Sequence, residues 1–230
     1  MPYANAVHRS PDHEKYARMV RATDPATLGV QMPEIDFWYS IGSTYSFLTV
    51  MRLDDWCAET NATVNWRPFN VRTIMSAQQN IPFAGKPVKS AYMWRDIERR
   101  AAKYRIHANL PAPYPISNLG LANQVALLGM QEDWGKEFTQ NLYRIWFEEG
   151  VEGGSETALS EALLRCQQDP RLILSRARSP DCIAALDAQT EQATRLGVFG
   201  APSFVVSDEV FWGDDRLDDA LSWARVGHVV

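Results

Sequence analysis

Between Glu34 and Pro68 the spacing of apolar residues switches from every second position to every third and fourth, then back again. That switch restricts the chain more than any other feature. Glu34-Ile35-Asp36-Phe37-Trp38-Tyr39 alternates and carries aromatics, which predicts a strand. Ser40-Ile41-Gly42-Ser43 is the turn that follows. Val50, Leu53 and Cys57 then share one stripe, with Phe47 and Met51 beside it, which predicts a single amphipathic helix. Thr63-Val64-Asn65-Trp66-Arg67 is a second strand by its β-branched and aromatic content, stopped at Pro68. A helix between two strands allows them to lie parallel in one sheet, connected by a right-handed crossover.

From about residue 72 to residue 197 the period is helical. Met93, Ile97, Ala101 and Tyr104 share one face, as do Leu121, Val125 and Leu128, and as do Phe138, Leu142 and Ile145. The loop Leu110-Pro111-Ala112-Pro113-Tyr114-Pro115 is too constrained by proline to continue a helix and is expected to lie across a surface. Ser179-Pro180 supplies an N-cap and a first-turn proline, and Gly197 is placed to end the same helix. Pro202-Ser203-Phe204-Val205-Val206 and Glu209-Val210-Phe211-Trp212, joined by Ser207-Asp208, predict a hairpin. Leu217, Ala220, Leu221 and Ala224 form the apolar stripe of a closing helix that starts around Asp214. This element order resembles a thioredoxin-like βαβ…ββα domain interrupted by an all-α insertion, an α/β fold in which both ends of the chain build one sheet. The expected division is an N-terminal extension over 1–33 with one short amphipathic stretch at Tyr16, Met19 and Val20, a thioredoxin-like domain from 34–72 and 198–230, and a helical insertion over 73–197.

Composition narrows the function classes. With 23 Lys+Arg against 28 Asp+Glu the formal net charge is −5, which argues against a nucleic-acid binder. No apolar run approaches the length of a membrane span, and the start of the chain lacks the apolar stretch of a secretory signal, so the expectation is a cytoplasmic protein with no membrane partner. Cys57, Cys166 and Cys182 are odd in number and far apart, which suits neither a disulfide framework nor a metal knuckle. His8, His13, His107 and His228 have no triad-like or ligand-like context, so no metal site is expected. GxSxG, GxGxxG and GxxxxGK[ST] patterns are all absent.

The chemistry centres on Gly42-Ser43-Thr44-Tyr45-Ser46, where a strand gives way to a helix. Thioredoxin-type proteins carry a CxxC pair at this place. Here Ser43-Thr44-Tyr45-Ser46 stands instead, so the chain has no dithiol of its own to exchange. A helix start favours an anion, and Ser43 could donate its hydroxyl proton to a borrowed thiolate. Residue type alone favours a plain N-cap. Pro202 begins the strand after the insertion, where a cis bond would expose the Ala201 backbone for pairing with an extended peptide, or where proline simply enters a strand. Asp214 and Asp215 open the last helix, either as partners of an α-amino acid head group or as a solvated acidic cap. Asn80, Lys86 and Lys89 offer an amide and cations near the start of the insertion.

The chain resembles the glutathione-dependent 2-hydroxychromene-2-carboxylate isomerases and the related kappa-class glutathione transferases over roughly residues 34–225. The supporting pieces are Ile35-Asp36-Phe37 leading to Ser43-x-x-Ser46-Phe47-Leu48, Trp66-Arg67-Pro68-Phe69, Asn80-Ile81-Pro82, Lys89-x-x-Tyr92, Val198-Phe199-Gly200-Ala201-Pro202 and Phe211-Trp212-Gly213-Asp214-Asp215-Arg216-Leu217. Their order and spacing carry the likeness. The resemblance implies glutathione as cofactor, with Ser43 at the sulfur and the Ala201 backbone at the cysteinyl unit. It further implies Asp214 and Asp215 at the γ-glutamyl end, and Asn80 and Lys89 at the glycyl end. Thr44 stands where proline usually follows the serine, Ser40 where an aspartate is common, and Asp214 where serine or asparagine is frequent. Relatives of this kind imply a homodimer. The eight tryptophans would serve an interface or a packed core equally.

On this resemblance the expected activity is isomerisation of an aromatic acid by reversible thiolate addition to a conjugated double bond, with a small aromatic acid as substrate. The alternatives are a kappa-like transferase or peroxidase using the same thiolate, and a non-catalytic thioredoxin-like binding module. Arg72, Lys86 and Arg95 are equal candidates for the substrate carboxylate. Tyr92 and Tyr114 are expected in the core rather than in a pocket.

Overall fold

The computed structural model describes residues 33–83 and 85–230; the N-terminal stretch at Tyr16, Met19 and Val20 lies outside them. Strands β1 (Glu34–Tyr39), β2 (Thr63–Pro68), β3 (Ser203–Val206) and β4 (Glu209–Trp212) form one mixed sheet in the order β2-β1-β3-β4. β1 runs parallel to β2, with Phe37 opposite Trp66, and antiparallel to β3, with Phe37 opposite Phe204. β3 and β4 are the expected hairpin, turned at Ser207 in the left-handed region. The α/β, thioredoxin-like architecture with a helical insertion is therefore the one observed.

The stretch after β1 departs from expectation. It forms α1 (Thr44–Val50) and α2 (Leu53–Thr60) rather than one helix. At the break, the Met51 amide donates to both Phe47 and Thr49 carbonyls, and the Arg52 amide donates to Thr49, a tightened turn that ends the α-helical ladder. Phe47, Val50 and Leu53 remain on the buried side of both pieces, so the stripe was read correctly and its continuity was not.

Between β2 and β3 run α3 (Val71–Ala77), α4 (Pro87–Tyr104), α5 (Leu119–Gln131), α6 (Gly135–Phe147), α7 (Glu156–Arg165), α8 (Pro170–Ala177) and α9 (Pro180–Arg195). Ser179 caps α9 by accepting from the Cys182 amide, and Gly197 at φ +81° follows its end. A single 3₁₀ turn, Asp214–Arg216, leads into α10 (Leu217–Val226).

Burial on both faces of the sheet explains why β1 is so apolar. Ile35, Phe37 and Tyr39 enter a large core shared with α1, α5 and α6, where Phe47 stacks on Phe147 at 4.0 Å between centroids. Trp38 points the other way, into a smaller cluster with Phe69, Ile74 and Val198. Trp38, Trp56, Trp66, Trp134 and Trp146 are all buried, so most tryptophans serve the core. The proline loop is held against the body as well as crossing the surface, with Ala112 buried and the Trp146 indole N–H donating to the Pro113 carbonyl at 2.6 Å. Among the described residues no helix is long and apolar enough to cross a membrane.

Candidate active site

The turn that follows β1 is fixed from outside itself. Asn123, a buried polar residue on α5, brackets the Ile41 peptide: its Oδ1 accepts from the Ile41 amide at 2.8 Å and its Nδ2 donates to the Ile41 carbonyl at 3.0 Å. Gly42 sits at φ +116°, where the backbone demands glycine, and a Cβ there would lie 2.6 Å from Leu119 Cδ1 and push that side chain aside. The Ser43 amide donates to the Ser40 carbonyl at 2.9 Å. The buried Tyr143 hydroxyl, on α6, shares its proton between the carbonyls of Ser43 at 3.1 Å and Ser40 at 3.2 Å.

Ser43 is held in extended geometry, φ −85° and ψ 117°. Its Oγ accepts from the Ser46 amide at 3.2 Å and donates to the Ala201 carbonyl at 2.8 Å. It is thus the N-cap of α1, yet its proton also reaches across to the strand entry 158 positions away. The Ala201–Pro202 bond is cis, and the Ala201 carbonyl accepts the Ser43 proton on one of its two lone pairs.

Around this pair opens a cavity of about 910 Å³. All six residues singled out from the sequence line it: Ser43, Asn80, Lys89, Ala201, Asp214 and Asp215. Asn80 and Lys89 are exposed on the insertion side, before α4 and in its first turn. Asp215 is exposed and pairs with Arg216 at 3.0 Å. Burial raises the Asp215 carboxyl, but Arg216, Arg100 and a backbone hydrogen bond together more than offset this and hold it below the usual range. Asp214 is no solvated cap: it is 2% exposed, and its Oδ2 accepts from Arg100 Nε at 2.9 Å and Nη2 at 2.8 Å. Burial lifts its pKa above the ordinary carboxylate value, an effect that Arg100 and Arg52 offset only in part.

Of the three basic residues suggested for a substrate carboxylate, Arg72 alone lines the cavity. Tyr92 overturns the core expectation. It is 61% exposed at the rim, because Met93, next to it on α4, takes the inward position. Tyr114 lines the cavity too, half-buried between the ring edges of Phe83 and Trp94. Phe199 and Trp212, packed against each other at 4.8 Å, form exposed aromatic rim on the sheet side.

Several residues that shape the site escaped sequence reasoning. Arg52 donates from Nη2 to the Asp214 carbonyl at 2.6 Å and lies over the Tyr104 ring, so the residue at the α1–α2 break supports the last turn before α10. Tyr45, on the cavity wall, donates to Asp96 at 3.0 Å, and burial together with Asp96 keeps its phenol protonated. Asn123 alone left a signal, a polar side chain inside the apolar run Leu121-Ala122-Asn123-Gln124-Val125-Ala126 that had to find a partner once buried. Cys57, Cys166 and Cys182 are free thiols, and none of them lines the cavity. Among the described residues no three His, Cys, Asp or Glu side chains are grouped so as to hold a metal ion.

Comparison with known proteins places the fold. The family model of the DsbA-like thioredoxin domain matches residues 34–222. A protein named 2-hydroxychromene-2-carboxylate isomerase from Sphingobium xenophagum is 32% identical over 191 residues, which cover 80% of this chain and 94% of that protein. One of the same name from Pseudomonas putida is 23% identical, covering 80% and 90%. A solved 2-hydroxychromene-2-carboxylate isomerase superposes with a TM-score of 0.71 at 24% identity, over 80% of this chain and 90% of that one. From β1 to α10, the chain belongs to the DsbA-like thioredoxin domain family and, within it, to the group of relatives named 2-hydroxychromene-2-carboxylate isomerase.

Proposed function

We propose that this protein is a glutathione-dependent isomerase of aromatic acids of the 2-hydroxychromene-2-carboxylate type. The observation that carries the reading is the meeting, in one cavity, of a serine hydroxyl, a strand-entry backbone and groups of both charges drawn from separate stretches of chain. The names of the relatives supply the substrate class.

The residues present suit a tripeptide. Lys89 and Asn80 offer a cation and an amide to the glycyl carboxylate. The Ala201 backbone lies beside Ser43 for the cysteinyl unit. At the far end the exposed Asp215 suits an ammonium, while Arg100, which also lines the cavity, is held on Asp214 and keeps that end of the wall in place. When bound, glutathione supplies a thiolate able to add reversibly to a conjugated carbon, which frees the adjoining bond to rotate.

The chain's own contribution begins at Ser43 Oγ. Its proton, held on the Ala201 carbonyl in this structure, can turn toward a sulfur anion and stabilise it. The Ser46 amide remains on the same oxygen and keeps it in place. Asn123 and Tyr143 hold the backbone on either side, so the hydroxyl is positioned before any ligand arrives. Phe83, Tyr114 and Leu119 give the cavity an apolar wall that excludes water from the sulfur.

The test is a pH titration of bound glutathione by the ultraviolet absorbance of its thiolate, in wild type and Ser43→Ala. A thiol pKa below the free value of about 8.5 is expected in wild type, rising by about one unit in Ser43→Ala, the worth of one charge-assisted hydrogen bond. Turnover of 2-hydroxychromene-2-carboxylate should fall with it. An unshifted thiol in wild type refutes the reading.

A further inference from the structure

We infer that Arg72 is the anchor for the carboxylate of the aromatic acid substrate, and so sets the preference of the cavity for acids over neutral aromatics. The inference rests on the proposed reading of the cavity and extends it to a residue that reading leaves without a role. Lys86 is spent on its own loop, with Nζ donating to the Ile81 carbonyl at 2.9 Å, and Arg95 pairs with Glu98 at 2.5 Å on the exposed side of α4. Neither lines the cavity. Three cations do, Arg72, Lys89 and Arg100, and Arg100 is committed to Asp214 through two hydrogen bonds. Lys89 is exposed in the first turn of α4, where it suits the peptide end of the site.

Arg72 differs from both. It is half-buried, it faces the cavity, and among the described residues no carboxylate pairs with it. A guanidinium removed in part from water without an anion keeps an unmet demand. Apolar and aromatic side chains line the same cavity: Val71 and Met75 from its own helix, and Phe83 and Tyr114 from later stretches of the chain. Burial pushes the Tyr114 phenol up and the Arg72 charge pulls it partly back, so the two lie close enough to feel each other while the phenol stays a neutral donor. A flat ring ending in a carboxylate meets both requirements, with its faces against these side chains and its two oxygens on the guanidinium fork. The start of α3 is rigid enough to aim that fork. Asn70 Oδ1 accepts from the Arg72 amide at 3.1 Å, and the Asn70 amide donates to Thr190 on α9 at 3.0 Å.

The test compares binding of 2-hydroxycinnamate with that of its amide, 2-hydroxycinnamamide, to the full chain, followed by tryptophan fluorescence and calorimetry. Wild type is expected to prefer the carboxylate by about 10- to 100-fold, the worth of a charge-assisted hydrogen-bond pair. Arg72→Gln should erase the preference by weakening the acid while leaving the amide unchanged, which also shows that the cavity is intact. Arg72→Lys should keep part of it, and Arg95→Gln all of it. Retention of the preference in Arg72→Gln, or its absence in wild type, overturns the inference. The two readings fail separately: a lost preference with an unshifted glutathione thiol keeps Arg72 as an acid anchor and removes the isomerase, whereas a shifted thiol with an untouched preference does the reverse.

Discussion

Arg100→Met is the perturbation that asks most of this structure. The methionine keeps the apolar stem that packs near Tyr104 and removes the two hydrogen bonds to Asp214 Oδ2, at 2.9 and 2.8 Å. Asp214, 2% exposed, is then a buried carboxylate facing only the more distant charge of Arg52. Breaking a buried pair from one side costs about 3–5 kcal/mol, and the partial exposure of Arg100 places this one near 3. For a chain of this size that corresponds to a fall in melting temperature of about 6–12 °C. The sign of the pH dependence follows from Asp214. Burial already raises its folded pKa above the unfolded value, and loss of Arg100 raises it further. A raised folded pKa means that the folded state holds the proton more tightly, so stability falls as pH rises from the unfolded pKa, about 3.9, to the folded one. The deficit of Arg100→Met relative to wild type should therefore be small at about pH 4 and complete at about pH 7. Adding Asp214→Asn should recover most of it, because the stranded charge is gone. Urea unfolding followed by tryptophan fluorescence reads all three chains. A deficit equal at both pH values, or one below about 1 kcal/mol at neutral pH, would refute the reasoning.

Two further substitutions probe the turn that carries Ser43. Gly42→Val should cost about 2–3 kcal/mol in urea unfolding, from positive φ together with the clash on Leu119, and Leu119→Ala in the same chain should relieve only the second part. Asn123→Leu should cost about 2–4 kcal/mol by stranding both the amide and the carbonyl of Ile41. Tyr143→Phe should cost nearer 1 kcal/mol, since the Ser40 carbonyl keeps the Ser43 amide; equal losses for Asn123→Leu and Tyr143→Phe would show that the bracketing of Ile41 carries no special weight.

What the sequence disclosed was local, and what it hid was paired across distance. Alternation gave β2 almost to the residue, since every second side chain is the buried one, and the aromatic and aliphatic runs of β1 and β3 marked strands whose two faces are both largely covered. Ser179, Pro180 and Gly197 announced α9 through capping chemistry that acts within one turn. The break at Met51–Arg52 went unseen because neither residue is a helix breaker, and the partner that Arg52 meets there, the Asp214 carbonyl, stands 162 positions along. The solvated cap stayed open for Asp214 for the same reason, its partner Arg100 standing 114 positions away in an ordinary charged helix. Tyr92 was misplaced since an isolated aromatic says nothing about which side of a helix meets a core. The six residues of the candidate site were found through a motif pattern, and their gathering around one cavity is a property of the sheet order that no short window displays.

The sheet order has a consequence for how the protein comes into being. β1 is an interior strand, yet one of its two neighbours, β3, lies beyond the entire helical insertion in sequence. Until β3 has been synthesised, the nascent chain presents β1 with one edge unpaired, the kind of edge that strands of other molecules join. Ser43 meets Ala201 only at that same moment, across 158 positions. A truncated product that ends before Ser203 lacks β3, and with it the pairing to β1 that carries Ala201 to Ser43 and closes the sheet side of the cavity.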